Sequence, residues 1–366
     1  MKEQKNNALL DITTKSNPAE LPATEKKQNR FLWSVLFIVI AAVSIWAVTA
    51  QNKDFSINDF LSYVKEASPL WLCAAVVSML AFIILEASAI MHICKTFGYK
   101  SKWRNGFFYS ASDIYFSAIT PSATGGQPAC AYFMVKDGIP GIVVTISLLL
   151  NLMMYTISLI VIGIISIIVN PKVIFNFNPL SIILIVSGYI VQLGLALLFC
   201  FILYKERFLH RICSGTLRIL GKAHLIRNVD KKLAKLKTTM EEYHKYAYMI
   251  KGRRKMIMKT LLLNIFQRIA QIAVTMFVFL ATGGILGQAL DIWSMQNFVV
   301  IGAYCIPVPG AVGITDYLML DGFGKIMEAQ QATNLELLSR TLSFYCCILI
   351  CGVSVIFKYC LLKRRS

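Results

Sequence analysis

Apolar residues run in long blocks along this chain, and the blocks predict its elements. Continuous apolar stretches cover about Phe31–Ala50, Pro69–Ile93, Ile139–Val169, Pro179–Tyr204, Met256–Leu280 and Leu342–Leu362. A helix of about 20 residues crosses a hydrocarbon core of about 30 Å, so each stretch predicts a transmembrane helix. Asn170 and Pro171 open the turn between the third and fourth.

Two further segments, 106–137 and 292–328, are apolar but interrupted. The first is cut by Pro121, Gly125, Gly126 and Pro128, the second by Pro307, Pro309, Gly310 and Gly313. Gly106–Thr120 is 15 residues, or about 22 Å of helix, too short to span. Both segments are expected to be re-entrant hairpins. The predicted fold class is an all-α polytopic integral membrane protein with about six transmembrane helices plus two re-entrant hairpins.

The polar pattern fills in the rest. Residues 1–30 have no apolar period and contain Pro18 and Pro22, which predicts a disordered cytoplasmic tail. No short apolar core with a small-residue cleavage site appears there, so the run at 31–50 is expected to be a retained helix. The transmembrane domain then covers 31–362, with a basic cytoplasmic end at 363–366. Inside it, 205–255 is a basic loop. Within that loop Val229, Leu233, Leu236, Met240, Tyr243 and Ala247 recur at spacings of 4, 3, 4, 3, 4. That seam predicts an amphipathic helix at the cytoplasmic interface or against the bundle.

Composition agrees. The chain is 57% hydrophobic and 15% charged, against roughly 25% charged in soluble domains. A soluble enzyme, a disordered chain and a disulfide-stapled secreted module are excluded. The ten Cys form no CxxC pair and no zinc-spaced cluster, and most lie in apolar runs as small hydrophobes. No metal and no cofactor are expected.

Charge adds orientation. The net charge is +18, but it sits between apolar runs and leaves no room for a soluble basic domain. Nucleic acid is therefore not an expected partner, whereas anionic phospholipids are. With the amino terminus inside, 31 of the 37 Lys and Arg fall on cytoplasmic segments and 3 on outside loops, including an outside loop at 331–339 that carries none. That split places both termini in the cytoplasm. It also requires that neither interrupted segment crosses, so the first hairpin enters from the cytoplasm and the second from outside.

The two breaks resemble each other. Pro121-Ser122-Ala123-Thr124-Gly125 and Pro309-Gly310-Ala311-Val312-Gly313 agree at Pro, Ala and Gly. The units 69–169 and 256–362 each read span, hairpin, span, as inverted repeats do in transporters. Irregular backbone inside a membrane is tolerated where it is buried in protein or lines a wet cavity. A helix that restarts after such a break offers free N–H groups and a positive dipole end to an anion. Ser122, Thr124, Gln127, Thr315 and Asp316 are candidates to cap these starts or to bind a headgroup. Glu86, Asp113, Arg268 and Asp316 lie within apolar segments, where charges are costly and face a bundle interior or water path. Arg268 is open to two readings, a structural ion pair or a phosphate contact.

The run Ile119-Thr120-Pro121-Ser122-Ala123-Thr124-Gly125-Gly126-Gln127-Pro128, followed by Lys136-Asp137-Gly138-Ile139, resembles a signature of the lysylphosphatidylglycerol synthase membrane-region family, also called flippase-like domain proteins. The turn Pro307-Val308-Pro309-Gly310-Ala311-Val312-Gly313 resembles its second signature. The resemblance covers about 30–362. It implies a membrane domain similar to one that moves aminoacylated phosphatidylglycerol across a bacterial-type plasma membrane. Thr120, Gly125, Gly126, Gly310 and Gly313 join the candidate substrate-binding residues on this basis. The soluble domain that makes the lipid in long members would need hundreds more residues, so the translocator half alone is expected. Many relatives carry an acid where this chain has Gln127, a departure that counts against an acid-dependent role there.

Three function classes follow. The first is a translocator for an anionic or aminoacylated phospholipid or related lipid phosphate. The second is a phosphatidylglycerol lysyltransferase-type enzyme of lipid modification and cationic peptide resistance. It lacks a constellation: there is no HExxH, DxD, P-loop or GxGxxG, and no residue is nominated as catalytic. The third is a scaffold for a separate lipid synthase docked on the basic loop. A homodimer is compatible with all three.

Overall fold

The computed structural model describes residues 57–204 and 252–363, with scattered positions between them. The terminal tail, the expected first span and most of the basic loop lie outside the described residues. Among the described residues the order is α1 (Ile57–Glu66), α2 (Pro69–Thr96), α3 (Trp103–Ile119), α4 (Gly126–Lys136), α5 (Gly141–Val169), α6 (Pro179–Tyr204), α7 (Arg254–Ala281), α8 (Ala289–Ala303), α9 (Ile314–Phe323), α10 (Ala329–Arg340) and α11 (Cys347–Lys363). Short 3₁₀ turns at Pro121–Ala123 and Pro309–Ala311 join α3 to α4 and α8 to α9.

Four helices, α2, α5, α6 and α7, are long and apolar enough to cross a membrane. A fifth runs from Ala329 to Lys363, with α10 and α11 joined through a π-helical turn at Thr341–Cys346. This corrects the expected last span and the expected outside loop at 331–339. Polar residues made that stretch read as a loop, but Asn334, Glu336, Ser339 and Arg340 are buried and face protein.

The packing is apolar outside and polar inside. On α6, Leu180, Ile183, Val186, Ile190, Leu193, Leu197 and Phe201 are exposed along one face, while Ser181 and Gln192 are buried. On α7, Met258, Leu262 and Phe266 are exposed, while Thr260, Asn264, Gln267 and Arg268 are buried. Exposed apolar surface on this scale marks a lipid-facing protein. Close approach of the helices relies on small residues: a side chain at Gly188 would fall 2.1 Å from the Ile301 carbonyl oxygen.

Hydrogen bonds at the helix ends fix the topology. Ser68 N–H donates to Ala281 O at 2.6 Å and Tyr63 donates to Thr282 Oγ1 at 2.7 Å, so the start of α2 meets the end of α7. At the other end, Arg253 Nη1 donates to Thr96 O at 2.5 Å. The two helices are antiparallel. Lys358, near the end of α11, reaches both Asn105 and Asp137, which places the two ends of the first hairpin at the Thr96–Arg253 end. Asn170, at the end of α5, bonds Asp291, and Asn178, before α6, bonds Asp321. Both ends of the second hairpin therefore lie at the opposite end of the bundle. Each hairpin enters and leaves on one side, the two enter from opposite sides, and their 3₁₀ turns touch.

The halves are thus an inverted repeat. A single shift along the chain carries Pro121 onto Pro309, Gly126 onto Ile314 and Gly141 onto Ala329, each the start of an element, with the earlier helix starts agreeing within about three residues. Of the seam in the basic loop, Leu236, Met240 and Tyr243 are described. Tyr243 is buried and donates to Ile202 O at 3.0 Å, which ties the loop to the end of α6. Nine cysteines are described as free thiols. Cys94, Cys130, Cys347 and Cys351 are buried as expected, whereas Cys73, Cys200 and Cys360 are exposed.

Candidate functional site

Four of the predicted residues converge where the repeats meet. Glu86 of α2 accepts from Ser110 at 3.2 Å and from Gln267 Nε2 at 3.3 Å. Asp113 of α3 accepts from Gln127 Nε2 at 2.7 Å and from Ser117 at 3.2 Å. The two carboxyls are neighbours. Arg268 of α7 is 1% exposed and lies over the Tyr155 ring of α5, 3.8 Å from its centroid, with Phe82 at 5.2 Å. Its Nη1 bonds Gln271, and Tyr155 bonds Tyr304 just after α8.

Among the described residues Arg268 forms no salt bridge. Its Nε is buried without a hydrogen-bond partner, as are the Gln267 and Gln127 amide oxygens. Buried polar atoms in native structures are nearly always satisfied, so these three open atoms make Arg268, Gln267 and Gln127 candidates to meet a ligand.

The first break is built for close approach. Gly125 N–H donates to Thr120 Oγ1 at 2.8 Å. A side chain at Gly126 would fall 2.1 Å from Asp113 Oδ1 and 2.5 Å from the Asp113 carbonyl oxygen. Gly126 therefore lets α4 lie against α3 and holds Asp113 in place. Gln127 and Thr124 do not cap α4 as expected. Gln127 bonds Asp113, while the exposed Thr124 hydroxyl turns back to Pro121 O at 3.0 Å. Ser122 is backbone in the turn, and its side chain lies outside the described residues.

The second break holds a second cluster. Gly313 has φ +82, a conformation open to glycine, and its N–H donates to Asp316 Oδ2 at 2.9 Å. Asp316 does cap its helix start, as predicted. Its other oxygen lies 3.0 Å from Arg340 Nε, and Glu336 lies 3.9 Å from the same nitrogen. The Arg340 guanidinium sits 4.5 Å from the Phe344 ring centroid, and Gly310 makes room for that ring. Thr315 is buried beside this cluster in sequence and joins neither set of side-chain contacts.

Sequence reasoning missed Glu336, Arg340, Gln267 and Tyr155. Glu336 was hidden by the loop reading of 331–339, and Arg340 reads only as a charge in or at the membrane. Tyr155 is one aromatic residue in an apolar run and gives no signal of its own. Asp137, part of the matched signature, proves to be an anchor. It takes Lys358 at 2.8 Å on both oxygens and Tyr109 at 2.7 Å, tying the last span to the first hairpin. Lys358 is accordingly buried, not a free charge of the carboxyl end.

Broken helices entering from opposite sides, with charges gathered where they meet, define a polytopic membrane protein of the inverted-repeat class. The match of residues 32–351 to the lysylphosphatidylglycerol synthase TM region family gives the particular case, and the chain belongs to that family. No curated protein matches the chain.

Proposed function

We propose that this protein moves an anionic or aminoacylated phospholipid, such as lysylphosphatidylglycerol, or a related lipid phosphate, between the leaflets of a bacterial-type plasma membrane. The observation that carries the reading is Arg268, buried within the membrane with its Nε lacking a hydrogen-bond partner, together with the unsatisfied buried amide oxygens of Gln267 and Gln127. A guanidinium suits phosphate. The amide oxygens of Gln127 and Gln267 suit the hydroxyl or ammonium donors of a headgroup. Family membership supports a lipid-handling membrane domain. The lysine and arginine count favours the Thr96–Arg253–Lys358 end as cytoplasmic, with both termini there.

A leaflet assay tests this. Purified protein in liposomes with fluorescent phosphatidylglycerol or its lysyl ester is quenched with dithionite. Wild type is expected to move the probe. Arg268→Gln, which keeps polarity but loses the charge-assisted bond, removes about 2 kcal/mol of phosphate contact and slows movement roughly tenfold or more. Equal rates in wild type and Arg268→Gln would sink the role of Arg268, and no movement of any phosphate headgroup would sink the reading.

A further inference from the structure

One face of α5 is polar along most of its length. Asn151, Tyr155, Ser158 and Ser166 fall within a stripe of about 80° at 3.6 residues per turn, and Asn170 follows just past the helix end. From Asn151 to Asn170 the chain rises about 28 Å, nearly the depth of a hydrocarbon core. Asn151 Oδ1 accepts from Asn264 Nδ2 of α7 at 3.2 Å. Tyr155 lies over Arg268 of α7 and bonds Tyr304, just after α8. Ser166 Oγ accepts from Asn297 Nδ2 of α8 at 2.8 Å, and Asn170 bonds Asp291 in the first turn of α8. A polar track therefore runs between α5 and α7 in one half of the bundle and between α5 and α8 in the other. It changes partner at Tyr155.

The track does not satisfy itself. Asn264 and Asn297 are both 0% exposed, yet the amide oxygen of each has no hydrogen-bond partner. The same holds for the buried hydroxyls of Thr260, one turn before Asn264, and Ser294, one turn before Asn297. Interhelical hydrogen bonds account for the amide nitrogens but leave the oxygens without a donor, which is costly away from water. Ionisable groups inside spans mark substrate paths, and Arg268 stands where the two halves of the track join. The open amide oxygens accept and cannot donate.

We propose that this track is the route of the headgroup through the bilayer, and that it admits headgroups carrying N–H or O–H donors. The proposal rests on the translocator reading and adds the path and its selectivity. The headgroup gives its hydroxyls or ammonium to Asn264, its phosphate to Arg268 and its donors again to Asn297. Arg268 accepts any lipid phosphate, so the amide oxygens on either side discriminate. A choline headgroup brings the phosphate but no donor, and a site that pairs with donors rejects a ligand lacking them. Passage parts α5 from α7 and then from α8, because both amides are wholly buried in this conformation.

The test is the dithionite assay with acyl-labelled phosphatidylglycerol, its lysyl ester and phosphatidylcholine. The two donor-bearing probes should move at least about tenfold faster than phosphatidylcholine. Equal rates overturn the selectivity. Asn264→Leu and Asn297→Leu keep the size and remove the oxygens. Each should slow phosphatidylglycerol about tenfold with the melting temperature unchanged, and unfolding of both would make the track a structural contact and overturn the route. Labelling adds a second measurement, in protein with Cys73, Cys200 and Cys360 changed to Ser. Thr260→Cys should react with a small cationic thiosulfonate supplied at the Thr96–Arg253 end, and Ser294→Cys with reagent at the other end, each above the same protein without the new thiol. Failure of both to react overturns the route. Lipid movement that neither Leu variant slows refutes the route alone, whereas no movement of any phosphate headgroup refutes the translocator reading on which it rests.

Discussion

The strongest structural test is the pair that joins the last span to the first hairpin. Lys358 Nζ lies 2.8 Å from both Asp137 oxygens, with the side chains 6% and 9% exposed. Asn105 adds a bond at 3.1 Å, and Phe108 lies 5.5 Å below the ammonium. A surface pair of this kind would contribute at most about 1 kcal/mol. A buried pair behaves differently, because removing one partner strands the other charge and costs about 3–5 kcal/mol. Lys358→Met leaves Asp137 with the Tyr109 hydroxyl, and Asp137→Asn leaves the ammonium with amide oxygens. Each single variant is therefore expected to lose about 3–5 kcal/mol. The double variant, with no charge left to strand, should lose far less than the sum. The coupling energy should reach about 2–3 kcal/mol, the upper range for contacting residues. Equilibrium unfolding in mixed micelles across the full cycle measures it. Additivity within about 0.5 kcal/mol, or a single-variant loss under about 1 kcal/mol, would refute the reasoning and make Asp137 a loop residue.

Three other outcomes follow from the same structure. Gly126→Ala puts a methyl group 2.5 Å from the Asp113 carbonyl oxygen, which no rotamer relieves. Overpacking costs about 1–3 kcal/mol, so a lower melting temperature and slower lipid movement are expected, and a wild-type profile would contradict the close-approach role. Gln127→Glu replaces the donor to Asp113 with a third acid and should cost about 1–3 kcal/mol; unchanged stability on thermal unfolding would show that the bond contributes nothing. Thr124→Cys should react with an impermeant maleimide from the cytoplasmic face and Val312→Cys from outside, with Cys73, Cys200 and Cys360 changed to Ser. Labelling of both from one face would break the inverted topology.

The fold was legible in the sequence wherever one simple pattern carried it. Apolar run length found α2, α5, α6 and α7 to within a few residues. The Pro and Gly breaks found both hairpins, because a broken helix changes composition as well as geometry. The last span failed for a physical reason. Run-length reading treats Asn334 and Glu336 as water-facing, and both are buried inside the protein instead, with Glu336 3.9 Å from Arg340. The site was half legible. Glu86, Asp113 and Arg268 announce themselves as charges in apolar runs. That the acids neighbour each other while Arg268 forms no salt bridge among the described residues is a matter of rotamer and helix rotation, which spacing does not encode. The same holds for Gln127, whose amide donor is used locally.

The repeat explains the scaffold but not the charges. The shift that carries Pro121 onto Pro309 sends Asp113 to Ile301, Glu86 to Val274 and Arg268 back to Leu80. It sends Asp316 to Pro128 and Arg340 to Leu152. Yet each cluster sets two neighbouring acids near one arginine that lies over an aromatic ring, although both arginines, Arg268 and Arg340, come from the second half. The two clusters are therefore not copies of one ancestral site. The broken helices recur because close, irregular backbone at mid-depth needs Pro and Gly at set places. The acids and arginines occupy unrelated positions that the breaks happen to bring inward. Self-comparison of the sequence could thus find the hairpins and still miss Arg340. The two clusters are then free to differ in role. Arg268 forms no salt bridge among the described residues, while Arg340 faces both Asp316 and Glu336. That difference is why the lipid phosphate is proposed at Arg268 and not at Arg340.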